Sequence, residues 1–269
     1  MPGFLLISGY LFPVNKEPQK FLKGIYGIVV PYIVFEIVYL LGVGMLGKFI
    51  GASNTFDGGV LTLLSKMAFS PSGTYWYIHT IIICSIIAYF STRLFKSNEN
   101  RLVFTAISFM IISLVIPFQK PLFLFFYFVG YVIRLYRHSF DSIMMKTWAL
   151  IFPLLICCYL SDESMRALPT VVCNTFCVVG LIGWVTPRLW SHLTNSIAWI
   201  GKNSLSVLLI SPAFTVLTKM AIPFFDFDKS RILWTSFSVI FVIIGCFLLA
   251  YIIDKLHFSE LCFGKKLIR

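Results

Sequence analysis

Residues 233–253 read LWTSFSVIFVIIGCFLLAYII, a long apolar stretch without a charged side chain. A helix needs about 20 apolar residues to cross a bilayer, so this segment predicts a membrane span. Similar segments occupy 26–48, 75–93, 102–118, 121–137, 145–160, 167–186 and 204–223. The stretch 3–13 is apolar but too short to cross alone, and Pro13 ends it. The sequence therefore predicts an all-α polytopic membrane bundle with eight full spans and one short N-terminal helix, in a single domain over 1–269.

The composition excludes a sizeable soluble domain. Of the 269 residues 58% are hydrophobic and only 12% are charged, whereas soluble domains carry about 25% charged residues. The net charge of +11 does not indicate nucleic-acid binding, because the basic residues lie at the ends of apolar segments and form no contiguous patch. The lipid bilayer is the predicted partner, and the charge follows from the enrichment of Lys and Arg in cytoplasmic loops.

The basic residues also predict the orientation. Alternate loops hold 15 and 7 of the 22 Lys and Arg residues, and the richer side is expected to be cytoplasmic. That side includes the connection 14–25 and the C-terminal tail. The segment 3–13 must then enter from outside. We therefore expect that a preceding helix carries the N-terminus there.

The seven cysteines do not predict a disulfide framework, because six lie inside apolar segments and Cys262 lies in the tail. Cys173 and Cys177 share a helix face, but no His or carboxylate is spaced to complete a metal site. We interpret the cysteines as small hydrophobic residues in helices, and we predict no bound metal.

Glu36 and His79 lie inside predicted spans, away from the helix ends where the other charged residues stand. Ionisable groups are costly at such positions and are often functional. Glu36 lies near the middle of 26–48. It is either a proton or substrate contact or a protonated carboxyl hydrogen-bonded between helices. His79 lies about one turn inside 75–93, close to Tyr75 and Trp76. It is either a base facing a cavity or an interfacial histidine among belt aromatics.

Two further features stand at helix ends. Lys20 and Lys23 share one helix face. They can bind the phosphates of a cytoplasmic donor substrate, or they can simply anchor the helix at the membrane surface. The run Gly201-Lys202-Asn203-Ser204-Leu205 opens the segment 204–223. Asn203 or Ser204 can cap this helix, and its free N–H groups can meet an anion; the alternative is a plain helix start.

Several short motifs, in order along the chain, resemble those of the acyltransferase-3 family of membrane O-acyltransferases. The start, MPGFLLISGYLF over residues 1–12, is similar to the family's second helix, and Ser8-Gly9-Tyr10 matches its Ser-Gly-Tyr/Phe run. A basic linker and Pro31-Tyr32 follow, as in members related to fucose O-acetylases. Trp76-Tyr77 resembles the family's Trp-Phe-Leu, and Gly201–Leu205 resembles its Gly-Lys-Asn-Ser-Leu.

The resemblance implies transfer of an acyl group, usually acetyl from acetyl-CoA, to a sugar hydroxyl of a surface glycan or its lipid-linked precursor. It also implies an inner-membrane protein of bacteria that corresponds to helices two to ten of a ten-helix core. The family's catalytic histidine lies on the first helix, to which no segment of this chain corresponds. This chain alone is therefore expected to be inactive unless another residue serves as the base. Within this chain His79 is the predicted catalytic residue. The predicted substrate-binding residues are Ser8, Tyr10, Lys20, Lys23, Trp76, Asn203 and Ser204. Of these, Ser8, Tyr10, Trp76, Asn203 and Ser204 are expected to line one cavity with His79.

Two departures from the family's pattern stand out. The basic pair near the third helix is reduced to Lys20 and Lys23, and Ser211 precedes Pro212 where a histidine often follows the late motif. A membrane transporter or flippase is the main alternative function, although the sequence shows no internal repeat. A glycan polymerase is the other, although the loop 49–74 carries only Lys66 and Asp57 as charged residues.

Overall fold

The computed structural model describes most of the chain as helix. The described residues are 2–50, 59–116, 119–136, 138–140, 168–189, 191–225, 227–228, 232–259 and 268. Within this part of the chain the regular elements are ten α-helices and two short 3-10 turns. The prediction of an all-α fold is confirmed, while the predicted span 145–160 lies outside the described residues.

The helices follow the predicted order. They are α1 Pro2–Tyr10, α2 Pro18–Ile50, α3 Val60–Phe69, α4 Tyr75–Leu94, α5 Asn98–Val115, α6 Pro121–Leu135, α7 Leu168–Val185, α8 Ser191–Lys202, α9 Ser204–Lys219 and α10 Ile232–Lys255. The helix α8 lies outside the predicted segments, and the largest departure among the predicted ones is α2, which begins eight residues earlier than predicted. Pro18 explains this start, because its fixed φ suits the first helical position.

Among the described residues, three helical segments are long and apolar enough to cross a membrane by length and composition: Pro18–Gly42, α4 and α10. The bent pair α8 and α9 makes a fourth if it counts as one span. The predicted span 121–137 is the 15-residue helix α6, which is about 22 Å long and shorter than a hydrocarbon core of about 30 Å. Its apolar character and that of its neighbours still identify an integral membrane protein.

The chain divides into two compact units. Unit 1 comprises residues 1–17 and 80–196, and unit 2 comprises residues 18–79 and 197–269. The predicted single domain over 1–269 therefore stays a prediction. Cys84 and Cys177 in unit 1 and Cys246 in unit 2 are buried and unbridged.

Unit 1 is held together by close helix packing and by polar pairs between helices. Three pairs join α4 to α6 and the turn before it: Thr80 donates to Gln119 at 2.9 Å, Ser85 lies 3.3 Å from the Tyr127 hydroxyl, and Ser91 lies 2.8 Å from the Tyr131 hydroxyl. Because lipid offers no hydrophobic force between helices, such hydrogen bonds and close packing stabilise the association.

Unit 2 pairs α9 with α10. Gly245 of α10 faces the ring of Phe214, and a Cβ at this glycine would lie 2.6 Å from Phe214 Cδ1. Because Gly245 has no side chain, α9 and α10 can pack closely against each other at this position. Before α9 the chain bends by 75° between α8 and α9, at Asn203.

Candidate functional site

A polar cluster forms in unit 2 around Met67–Ser72, which comprises the end of α3 and the start of its connection to α4. Tyr32 and Glu36 lie one helical turn apart on α2 and both reach this segment. The Tyr32 hydroxyl donates to the Met67 carbonyl at 2.8 Å, and the Ser72 amide donates to Glu36 Oε1 at 3.0 Å. The last carbonyls of a helix have no intrahelical partner, so Tyr32 satisfies one that α3 leaves open.

Glu36 is fully buried. Its Oε1 accepts the Ser72 amide, whereas its Oε2 has no hydrogen-bond partner among the described residues. The carboxyl therefore fixes the α3–α4 connection with one oxygen and keeps acceptor capacity on the other. The structure brings Glu36 into a buried contact between segments, so it does not face lipid.

His79 lies on the same side of unit 2, one turn after Tyr75 on α4. Its ring is only 9% exposed, lies 6.1 Å from the Tyr32 ring between centroids and hydrogen-bonds to the backbone of Ala68. Ala68 stands in the last turn of α3, where the carbonyl is the group that lacks an intrahelical partner. One imidazole nitrogen thus donates to this carbonyl, which leaves the other as an acceptor.

Tyr75 ties α4 to α9. Its hydroxyl donates to the Leu209 carbonyl at 2.6 Å, three residues before Pro212, which interrupts the backbone hydrogen bonding of α9. Tyr39 of α2 packs against the Tyr75 ring at 5.6 Å between centroids. Gly73, at φ +58°, adopts a left-handed conformation beside the Tyr39 ring.

The tyrosines of this cluster were not predicted as site residues. The available signal was spacing, since Tyr32 with Glu36 and Tyr75 with His79 are both pairs four residues apart and therefore share a helix face. The hydrogen-bond partners of these tyrosines could not be predicted from the sequence, because they are backbone carbonyls of α3 and α9, which are distant in the chain.

The other predicted residues of unit 2 lie at different positions. Trp76 is half-buried, with its ring edge-on to Tyr77 at 6.2 Å. Lys20 and Lys23 are both exposed near the start of α2. This exposure agrees equally with phosphate binding and with membrane anchoring.

Asn203 occupies the N-cap position of α9, but its side chain does not cap that helix. Instead Asn203 Nδ2 donates back to the Trp199 carbonyl at 3.0 Å, and the side chain is buried. Of the two possible caps, Asn203 therefore does not act as one, because its side-chain amide bonds back to the same Trp199 carbonyl that accepts the Asn203 backbone N–H at 3.2 Å. Ser204 follows as the first, half-buried residue of α9.

Ser8 and Tyr10 lie in unit 1, on α1, and both are half-buried. The Tyr10 ring packs against Phe140 at 5.1 Å between centroids, and the Arg134 guanidinium carbon lies 5.9 Å from the same ring. Trp76, His79, Asn203 and Ser204 belong to unit 2. The prediction that all six residues line one cavity stays a prediction.

The sequence profile of a family described as an acyltransferase domain matches residues 1–251. The chain belongs to the acyltransferase-3 family. The resemblance carried by the Ser-Gly-Tyr, Trp-Tyr and Gly-Lys-Asn-Ser-Leu motifs is thereby confirmed. This acyltransferase-3 member is a membrane acyltransferase, and no curated protein and no solved structure matches it.

Proposed function

We propose that this acyltransferase transfers an acyl group, typically acetyl from acetyl-CoA, to a sugar hydroxyl of a cell-surface glycan or of its lipid-linked precursor. The family match over residues 1–251 supports the proposal, and it favours an enzyme over the transporter and polymerase alternatives. The observation that supports a catalytic site is the buried His79. Its hydrogen bond to the Ala68 backbone leaves the other ring nitrogen as an acceptor.

The reaction needs a base. The base takes the proton of the sugar hydroxyl as its oxygen attacks the thioester carbonyl. The carbon–sulfur bond then breaks, and the thiol of CoA leaves after it has received the proton. General base catalysis typically contributes about 10²–10⁴-fold to such a step.

His79 is the proposed base. A histidine that donates one N–H to a backbone carbonyl is held in one tautomer and one ring orientation. The ring is only 9% exposed and lies beside the Tyr32 ring, so its orientation is also held by packing.

The donor and acceptor are assigned to the remaining motif residues. The exposed Lys20 and Lys23 are proposed to bind the phosphates of acetyl-CoA as point charges. Polar contacts to the sugar are proposed for Ser8, Tyr10, Trp76, Asn203 and Ser204. The membrane is proposed to be the bacterial inner membrane with the C-terminus cytoplasmic, which the 15-to-7 distribution of basic residues supports.

The test is an acetylation assay in membranes that contain the protein. Acetyl-CoA with a deuterated acetyl group is supplied together with glycan extracted from those membranes, and mass spectrometry measures the labelled acetyl esters. The expected result is labelled ester with the wild type, and a loss of about 100-fold or more with His79→Ala.

His192→Ala is the matched control, because His192 is exposed on α8. It should acetylate like the wild type at equal protein level. Labelled ester at wild-type rates from His79→Ala would remove His79 as the base. No labelled ester from any form would contradict the proposed donor and acceptor.

A further inference from the structure

A cationic cavity lies at one end of unit 1. Its volume is about 740 Å³, within the range of about 300–1,000 Å³ that is common for ligand sites. The end of α1 and the turn after it, the start of α5 and the end of α6 form its walls. The charged lining residues are Lys16, Arg101 and Arg134, with His138 beside them.

Among the described residues that line the cavity there is no carboxylate. Glu17 and Glu99 are close in sequence to Lys16 and Arg101, but neither lines the cavity. Three cations that share one cavity repel each other, and a bound anion offsets that repulsion. The charge of the lining therefore selects an anionic ligand.

Arg101 is held in place before any ligand arrives. Its Nε donates to the Phe95 carbonyl at 2.8 Å, and its Nη1 donates to Asn98 Oδ1 at 3.3 Å. A guanidinium has five N–H donors, so these two bonds leave others that can point into the cavity. An orientation fixed in advance reduces the entropy that binding would otherwise cost.

Arg134 and Lys16 are also positioned by their neighbours. The Arg134 guanidinium lies over the Tyr10 ring, an arrangement that favours the cation without using its hydrogen-bond donors. The Lys16 carbonyl accepts a hydrogen bond from Arg93 Nη2 at 2.9 Å, which fixes the turn that carries the Lys16 side chain.

We infer that this cavity is a binding site for a phosphate group, held by Arg101, Arg134 and Lys16. The planar fork of an arginine matches two phosphate oxygens, and two arginines with a lysine provide more donors than a carboxylate ligand would use. A phosphate at this site can come from the CoA part of the acyl donor or from an anionic lipid headgroup. Neither the family match nor the proposed reaction assigns these three residues.

Two binding measurements distinguish the sources. The protein is placed in nanodiscs of neutral phosphatidylcholine, and calorimetry measures binding of adenosine 3′,5′-bisphosphate, which carries two of the phosphate positions of CoA. In parallel, the protein is placed in nanodiscs that contain phosphatidylglycerol, and native mass spectrometry measures the retained lipid. We expect at least one probe to bind, and its binding to weaken as salt concentration rises.

Arg134→Gln is the main variant, because Arg134 is exposed and its loss should leave the helices folded. It should lower the affinity of the bound probe about tenfold or more, as expected for a lost charge-assisted hydrogen bond. Arg101→Gln should do the same. Arg188→Gln is the matched control, because Arg188 also lies over an aromatic ring, that of Trp184, but outside the cavity.

The binding readout separates this inference from the proposed reaction. His79→Ala should bind the probe like the wild type even if it transfers no acetyl group. A loss of affinity for the bisphosphate alone assigns the site to the nucleotide, and a loss of phosphatidylglycerol alone assigns it to the lipid. Absence of binding for both probes, or equal affinity in wild type and Arg134→Gln, would overturn the inference.

Discussion

Gly9 of α1 and Gly130 of α6 each lie directly against the backbone of the other helix. A Cβ at Gly9 would clash with the Tyr127 carbonyl oxygen and lie 3.0 Å from the Tyr131 amide nitrogen. A Cβ at Gly130 would clash with the Leu6 carbonyl and lie 2.8 Å from the Tyr10 amide nitrogen. This reciprocal contact gives the glycine of the Ser-Gly-Tyr motif a structural role, since small residues allow membrane helices to approach closely.

Gly9→Ala should destabilise unit 1, because the added methyl group meets backbone that cannot move aside as a side chain would. Overpacking typically costs about 1–3 kcal/mol. Purified protein in detergent should show a lower midpoint in a thermal unfolding measurement, and Gly130→Ala should show the same loss.

Gly3→Ala is the matched control on the same helix. Its Cβ would meet Val179 Cγ2 at 3.7 Å, an ordinary van der Waals contact, so its midpoint should stay close to that of the wild type. Equal midpoints for Gly9→Ala and Gly3→Ala would show that α1 and α6 do not pack as described.

Tyr75→Phe should lower stability by removing the hydroxyl that donates to the Leu209 carbonyl. The loss leaves a buried acceptor without its partner, which costs about 1–3 kcal/mol. Tyr26→Phe serves for comparison, because Tyr26 is 61% exposed, and it should unfold like the wild type. Identical denaturation of both variants would contradict the hydrogen bond to α9.

Glu36→Gln should keep the fold, whereas Glu36→Ala should weaken it. The glutamine side chain retains an acceptor oxygen for the Ser72 amide, and alanine leaves both a cavity and an unpaired amide. We expect Glu36→Ala to cost about 2 kcal/mol or more in thermal unfolding. Comparable losses in both variants would mean that the charge of Glu36, rather than its acceptor oxygen, holds the α3–α4 connection.

The double variant Lys20→Ala, Lys23→Ala should raise the KM for acetyl-CoA about tenfold and leave kcat almost unchanged. The two charges bind the donor equally in the ground state and in the transition state, so their loss weakens binding without slowing the chemical step. Steady-state acetylation kinetics measure both constants. Lys120→Ala, which removes an exposed lysine just before α6, should leave KM unaltered. An unchanged KM in the double variant would assign these lysines to membrane anchoring.

The connection after α1 and the C-terminal tail should both be inaccessible to a membrane-impermeant maleimide added to intact cells. The excess of basic residues on this side predicts its cytoplasmic position. The measurement uses a protein with one cysteine at a time, either Glu17→Cys or the native Cys262, the other cysteines being replaced by serine. Both sites should react after the cells are opened; reaction at either site in intact cells would contradict the orientation.

Much of the secondary structure could be predicted from the sequence, because an apolar segment in a bilayer must satisfy its backbone within itself and therefore forms a helix. The helices α4 and α10 follow their predicted bounds within two residues. The start of α2 differed because helix starts depend on local capping, and Pro18 permits an earlier start than the hydropathy suggests.

The sequence by itself determined the membrane class, the helix order and, through three short motifs, the family. Tertiary structure decided which atoms meet. Tyr32 and His79 reach the last carbonyls of α3, Glu36 holds the Ser72 amide, and Asn203 bonds back to Trp199 rather than capping α9. The physical reason is that hydropathy and spacing fix local backbone conformation, whereas the partners of a polar side chain depend on segments distant in the chain whose approach is set by packing, as at Gly9 and Gly130.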